Sequence, residues 1–236
     1  MRERSLQAVP RTLMLVGVIL LALQISWRTH QAPPNARAES LARAPSVNSI
    51  HLSSLSEPMT ASGLLALRLQ AFDNQPGISI PYANLDYGRL STWLDTLLAL
   101  DPHSDYPLLM ASYLYAQVPD PVRQRLMLDF SYRHFLADPA RRWRFLAHAT
   151  LIAKHRLHDL PLALHYARAI QAHATAPGIP HWASQMPFFI LEDMGEVEAA
   201  KIELGALLAT GSITDPQESH FLTERYHALS KPRQGR

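Results

Sequence analysis

Between Glu57 and Leu229 apolar residues recur at helical spacing, in stretches broken by short polar joints. Leu64, Leu65, Leu67, Leu69 and Phe72 mark a first helix, which Asn74-Gln75-Pro76-Gly77 stops. The stretch from Gly77 to Pro81 is the candidate for extended chain. A second helix is expected over about 84–100, with Leu90, Trp93, Leu94, Leu97 and Leu98 on one face. Stretches then follow in pairs. Tyr106–Gln117 precedes Pro121–Ala137, Pro139–His158 precedes Pro161–Ala174, and Trp182–Met194 precedes Glu196–Thr210. Pro216–Leu229 closes the series. Asp120 is placed to cap the helix that Pro121 opens, and Asp215-Pro-Gln-Glu218 reads as a capping box.

A second regularity lies on top of the first. Pro102, Pro139, Pro177 and Pro216 are 37, 38 and 39 residues apart, and an aspartate precedes three of them. A near-constant period of this size, with two apolar-periodic stretches inside it, predicts stacked helical hairpins. Each hairpin carries apolar residues on two faces and must stack to bury them. The expected class is all-α, an N-terminal transmembrane helix and linker followed by a solenoid of antiparallel hairpins; a non-repetitive helical bundle is the alternative. Pro177-Gly-Ile-Pro180 is the joint built differently from the others.

Three segments resemble the tetratricopeptide repeat. In Leu191-Glu-Asp-Met-Gly195-Glu-Val-Glu-Ala-Ala200 a glycine is followed five positions later by a small alanine, as in that family's turn. Leu162-Ala163-Leu-His-Tyr-Ala167-Arg-Ala-Ile170 resembles a second helix, and Trp143-Arg-Phe-Leu146-Ala147 the start of a first one. The resemblance covers about 120 residues and implies a binding scaffold of paired helices. The chain departs from the pattern in its longer period, in Thr150 where an aromatic is usual, and in Pro187 inside a first helix.

The N-terminus adds a different signal. Thr12 to Trp27 contains no charged residue, and Arg11 and Arg28 bracket it. Sixteen residues of helix reach roughly 24 Å, and snorkelling arginines extend that toward a hydrocarbon core of about 30 Å. The expected layout is an N-tail over 1–11, a membrane span over 12–28 and a flexible linker over 29–56. A tetratricopeptide-like domain over 57–229 and a disordered tail over 230–236 complete it. Small residues of a cleavage site are missing just after the apolar run, which favours an uncleaved anchor over a cleaved signal peptide. Short N-tails stay in the cytoplasm, so the helical domain is expected on the periplasmic side of a bacterial inner membrane, N-in and single-pass.

Composition narrows function mainly by exclusion. A formal charge of +2 is too small and too evenly spread to predict a nucleic-acid partner. The chain has no cysteine, so disulfides, thiolate metal sites and thiol nucleophiles are excluded. No nucleophile-elbow or phosphate-loop motif occurs, and no serine is spaced to pair with a histidine; an enzyme, a cofactor or a small-molecule substrate is not expected.

What remains is binding chemistry. On the Pro139–His158 helix, Trp143, Leu146, Ala147 and Thr150 make one apolar stripe, and Phe145, Ala149 and Ile152 another. Arg144, His148, Leu151 and His155 are left over as a strip facing a groove, with Arg141 and Arg142 nearby. The candidate partner-binding set is therefore Arg141, Arg142, Arg144, His148 and His155, matched to a carboxylate on another protein or an exported polypeptide. Tyr113 and Tyr115 cannot both face inward on one helix, so one of them is expected to reach the groove. The acidic run Glu192, Asp193, Glu196, Glu198 and Glu203 reads as cover for a helix start. His155 and His158, three apart, allow a metal carrier as an alternative, although no metal site is predicted. The expected function is a membrane-anchored scaffold or assembly factor, with a structural subunit of a membrane complex as the other alternative.

Overall fold

The computed structural model describes residues 10–31, 38–54, 57–211, 213 and 215–230. Most of the expected N-tail 1–11 and nearly all of the expected tail 230–236 lie outside them. Among the described residues the chain is all-α, with eleven α-helices and one two-stranded hairpin. The helices are α1 (Arg11–His30), α2 (Val47–Ser53), α3 (Pro58–Gln70), α4 (Tyr87–Leu100) and α5 (Tyr106–Leu109). They continue as α6 (Pro121–Ala137), α7 (Pro139–His155), α8 (Leu160–His173), α9 (His181–Asp193), α10 (Val197–Ala209) and α11 (Pro216–Ser230). The hairpin pairs β1 (Asn74–Gln75) with β2 (Ile78–Ser79), where extended chain is expected.

Local chemistry sets the helix starts. The side chains of Asp86, Asp120, Asp138 and Asp159 each accept from a backbone N–H three residues on, satisfying a donor that the helix itself leaves unpaired. Pro121 and Pro139 occupy first positions, where a missing N–H costs nothing. Asp138 is at once the C-terminal cap of α6 and the N-terminal cap of α7, so that joint is a single residue. At α11, Asp215 accepts from Gln217 N at 2.8 Å. The expected reciprocal arm of the box is used differently, because Glu218 accepts from Gln185 Nε2 on α9.

Packing follows chain order: α3 lies on α4, α4 on α6, and α6 to α11 each on the next. One continuous core runs through the stack, with Leu90, Leu94, Leu97, Leu108, Met127, Leu128, Phe130, Phe135, Leu146 and Phe188 fully buried. The helices fall into two rows. In one, α5 with the turns that continue it over 110–117, then α7, α9 and α11, touch in turn, through Tyr113 and His148, Trp143 and Trp182, and Glu192 and Arg225. In the other, α6 meets α8 through Tyr132 and Tyr166, and α8 meets α10 through Gln171 and Glu203. Small residues make the α8 and α10 contacts close: Ala163, Ala167 and Ala200 have no exposed surface.

Two regions differ from their expected form. The α1 helix is longer than 12–28: its 20 residues reach about 30 Å, and none is buried. By length and composition this helix can cross a membrane. Within the expected linker 29–56, residues 38–54 are docked rather than free. Arg89 Nη1 donates to Leu41 O at 2.6 Å, Trp93 Nε1 donates to Ala42 O at 2.9 Å, and Leu41 itself is buried. Glu39 and Gln75 exchange two hydrogen bonds, and Ser46 caps α2. Carbonyl groups make most of this strap's attachments. A polar composition without apolar period therefore gave no sign of it.

Candidate functional site

The odd-numbered row holds a groove of about 490 Å³ between α7 and α9, with α5 at one end. Its wall on α7 is Trp143, Arg144, Ala147, His148, Thr150, Leu151 and Lys154. Its wall on α9 is Trp182, Met186, Phe189 and Ile190, and Tyr113 closes the α5 end. Trp143 and Trp182 meet edge to face with ring centroids 5.4 Å apart. The floor is supplied by small side chains. Ala147 and Thr150 are buried, and Thr150 Oγ1 donates to Leu146 O at 2.9 Å, so its hydroxyl is satisfied and a methyl lines the space.

At the α5 end the backbone departs from the α-helix. After Leu109 the chain makes a π-helical turn over Met110–Leu114 and a 3-10 turn over Tyr115–Gln117. Such turns shift the register of side chains along a helix. Tyr115 becomes fully buried, and Tyr113, half exposed, stacks on His148 with centroids 3.8 Å apart and planes 11° from parallel. Gln117 Nε2 donates to His148 Nε2 at 3.3 Å. Burial, reinforced by the charge of Arg156, lowers the His148 pKa below the ordinary histidine value. A neutral ring with Nε2 as acceptor fits both facts.

The candidate binding residues divide. Arg144 and His148 line the groove; Arg141, Arg142 and His155 do not. Arg142 is buried and donates to His134 O at 2.9 Å and to Pro102 O at 2.8 Å, a structural clamp between joints. Burial lowers its pKa from the usual arginine value. Arg141 donates to His103 Nδ1 at 2.6 Å, and His155 is exposed at the end of α7. Arg144 is ion-paired to Asp105, and Lys154 to Asp193. The groove's two cations are thus already partnered, and a ligand carboxylate would have to displace a resident one.

The histidine pair separates as well. The α7 helix ends at His155, and His158 sits beyond it in a left-handed turn with φ of 52°, so the two do not share a helix face. Among the described residues no group of three or more His, Asp or Glu side chains is placed to hold a metal ion. His134 instead bonds Asp95 at 2.7 Å, and His165 and His173 pack against Tyr132 and Phe135.

Sequence patterns alone did not pick out the α9 wall. One signal was available: Phe188 and Phe189 are adjacent on a helix and so point in different directions. Phe188 points into the core, and Phe189 turns to the groove with its ring 4.6 Å away. The acidic run does more than cover a helix start. Asp193 pairs with Lys154 of the groove wall, and Glu192 ties α9 to Arg225 of α11.

These features define the class: an all-α stack of antiparallel helices with an apolar groove in one row, preceded by a helix long and apolar enough to cross a membrane. No family model, no curated protein and no solved structure matches the chain.

Proposed function

We propose that this protein is a membrane-anchored, non-catalytic interaction scaffold of the tetratricopeptide-like kind. Its α7–α9 groove holds a short apolar segment of another polypeptide on the outer side of a bacterial inner membrane. One observation carries the reading. The space between α7 and α9 is walled by aromatic and aliphatic side chains, while its charges are neutralised in pairs at the ends. Such a site favours an apolar occupant, because each buried apolar group is removed from water without stranding a charge. Trp182 and Tyr113, both about half exposed at 48%, are aromatic anchors of the type that dominates binding energy. The paired cations favour this chemistry over capture of a free carboxylate. The α1 helix supports the anchor, and the helix-pair stack supports the resemblance to tetratricopeptide repeats.

The test uses the full chain in native membranes. A photoreactive benzoylphenylalanine replaces Leu151, an exposed groove residue, or Val122, an exposed residue of α6. A discrete polypeptide adduct is expected from position 151 and not from 122. No adduct at 151, or the same adducts at both positions, overturns the groove reading. Alkaline carbonate extraction, which should leave the full chain in the membrane pellet, checks the anchor separately.

A further inference from the structure

The stack has two ends, and they are finished differently. In α3, Ser62, Ala66 and Leu69 face inward, and Ser62 Oγ donates to Leu97 O at 3.0 Å, fixing that face on α4. The outward face carries Met59, Leu64 and Leu67, which are 58%, 64% and 59% exposed. Gly63 lies between them with open space around it. The far end is more polar: α11 exposes His220, Thr223, Glu224 and His227, with Phe221, 52% exposed, as its one exposed large apolar side chain among the described residues. Terminal units of helical stacks need a polar outer face to remain soluble, and this end lacks one.

The chain's own path indicates what covers it. The strap fixes Leu41 and Ala42 on α4, and Leu41 is only ten positions along the chain from Gln31, the C-terminal cap of α1. At full extension ten residues span about 36 Å at most. If α1 crosses a bilayer, as proposed above, the α2–α3 end is leashed close to that bilayer. The α11 end lies several helix layers beyond, each about 8–10 Å thick. Arg68 is exposed on α3 itself, and Arg28 and His30 sit in the last turn of α1. Glu57 at the start of α3 and Asp101 beside Met59, Leu64 and Leu67 are the acidic residues at this end. Apolar side chains flanked by arginine suit insertion at an anionic lipid–water interface.

We propose that the outward face of α3, through Met59, Leu64 and Leu67, rests on the bilayer beside the α1 anchor. The docked strap then holds the whole stack in one orientation, with its groove at a fixed height above the membrane. This proposal rests on the reading of α1 as a membrane span.

Because the chain has no cysteine, each single-cysteine variant carries one label. The full chain, reconstituted in phosphatidylethanolamine–phosphatidylglycerol vesicles, is labelled with an environment-sensitive fluorophore and challenged with doxyl-lipid quenchers. Leu64→Cys and Leu20→Cys should both be quenched, and Ile202→Cys, exposed on distant α10, should not. Adding Met59→Glu and Leu67→Glu should remove the quenching of the Leu64→Cys label and leave that of Leu20→Cys. Quenching at Leu20→Cys without quenching at Leu64→Cys overturns the proposal while the span stands. Equal quenching at Leu64→Cys and Ile202→Cys also overturns it. No quenching at Leu20→Cys removes the span itself, and the proposal with it.

Discussion

The row formed by α5, α7 and α9 has two seams, and they are built in opposite ways. Between α5 and α7 the seam is filled. Tyr113 stacks on His148, Gln117 donates to the same ring, and Arg144 and Arg141 reach Asp105 and His103. Between α7 and α9 the walls meet at the Trp143–Trp182 edge contact and the Lys154–Asp193 pair, with an apolar space between. The joints differ in the same sense. A single residue, Asp138, connects α6 to α7, whereas residues 174–180 connect α8 to α9 and include Gly178 at φ of 90°. A one-residue joint leaves little choice of packing angle; a seven-residue one lets α9 stand off. Closed seams hold a stack together, and the open one is where a guest fits.

The most severe way to break this contrast is to attack α9 at two adjacent residues. Phe188→Ala should lower unfolding free energy by about 3–5 kcal/mol in a urea titration, as expected for a large buried ring. Phe189→Ala should cost less than half of that but remove the crosslinked adduct. Equal losses of stability would mean that the groove wall is ordinary core. Next in size, Trp182→Ala should weaken partner capture by about 30-fold, the scale of a central aromatic anchor at roughly 2 kcal/mol. Its stability should change by about 1 kcal/mol or less, because the side chain is half exposed.

The closed seam is tested by pH. The lowered pKa of His148 means that the unfolded chain binds its proton first as pH falls. The neutral ring's contribution is fully present above the ordinary histidine value of 6.5 and is lost as pH drops through the lowered folded pKa. Urea midpoints should therefore decline below pH 6.5, and His148→Phe, which keeps the stack on Tyr113, should flatten that decline. An unchanged slope would remove His148 as its source. The smallest effect is expected from Arg144→Ala. It deletes a half-exposed ion pair worth about 0–1 kcal/mol and should leave the adduct intact. Loss of capture in that variant would restore carboxylate recognition as the basis of binding.

The helix starts at 121, 139 and 216 were legible because Asp–Pro joints and aspartate caps act within three or four residues. The end of α7 was less so. Its polar periodicity runs on to His158, but the backbone turns left-handed there and Leu157 N returns to Ile152 O. In the candidate set, the helical repeat placed Arg144 and His148 on the face that lines the groove. It could not show that Arg142 reaches a carbonyl 40 residues away or that Arg144 meets Asp105, 39 residues back. The departure at Thr150 proved informative, since a small residue at that position contributes space to the groove.

By itself, the sequence determined the all-α class, the order of the helices from α3 onward and several of their starts, and an N-terminal helix fit for a bilayer. Caps, prolines and apolar period act over single turns, and so they are written locally. Only the tertiary structure decided which seam closes and which opens, which cations are already paired, and that the linker is a strap. Those outcomes depend on side chains and carbonyls brought together from 39 to 51 residues apart. No local pattern records such distances.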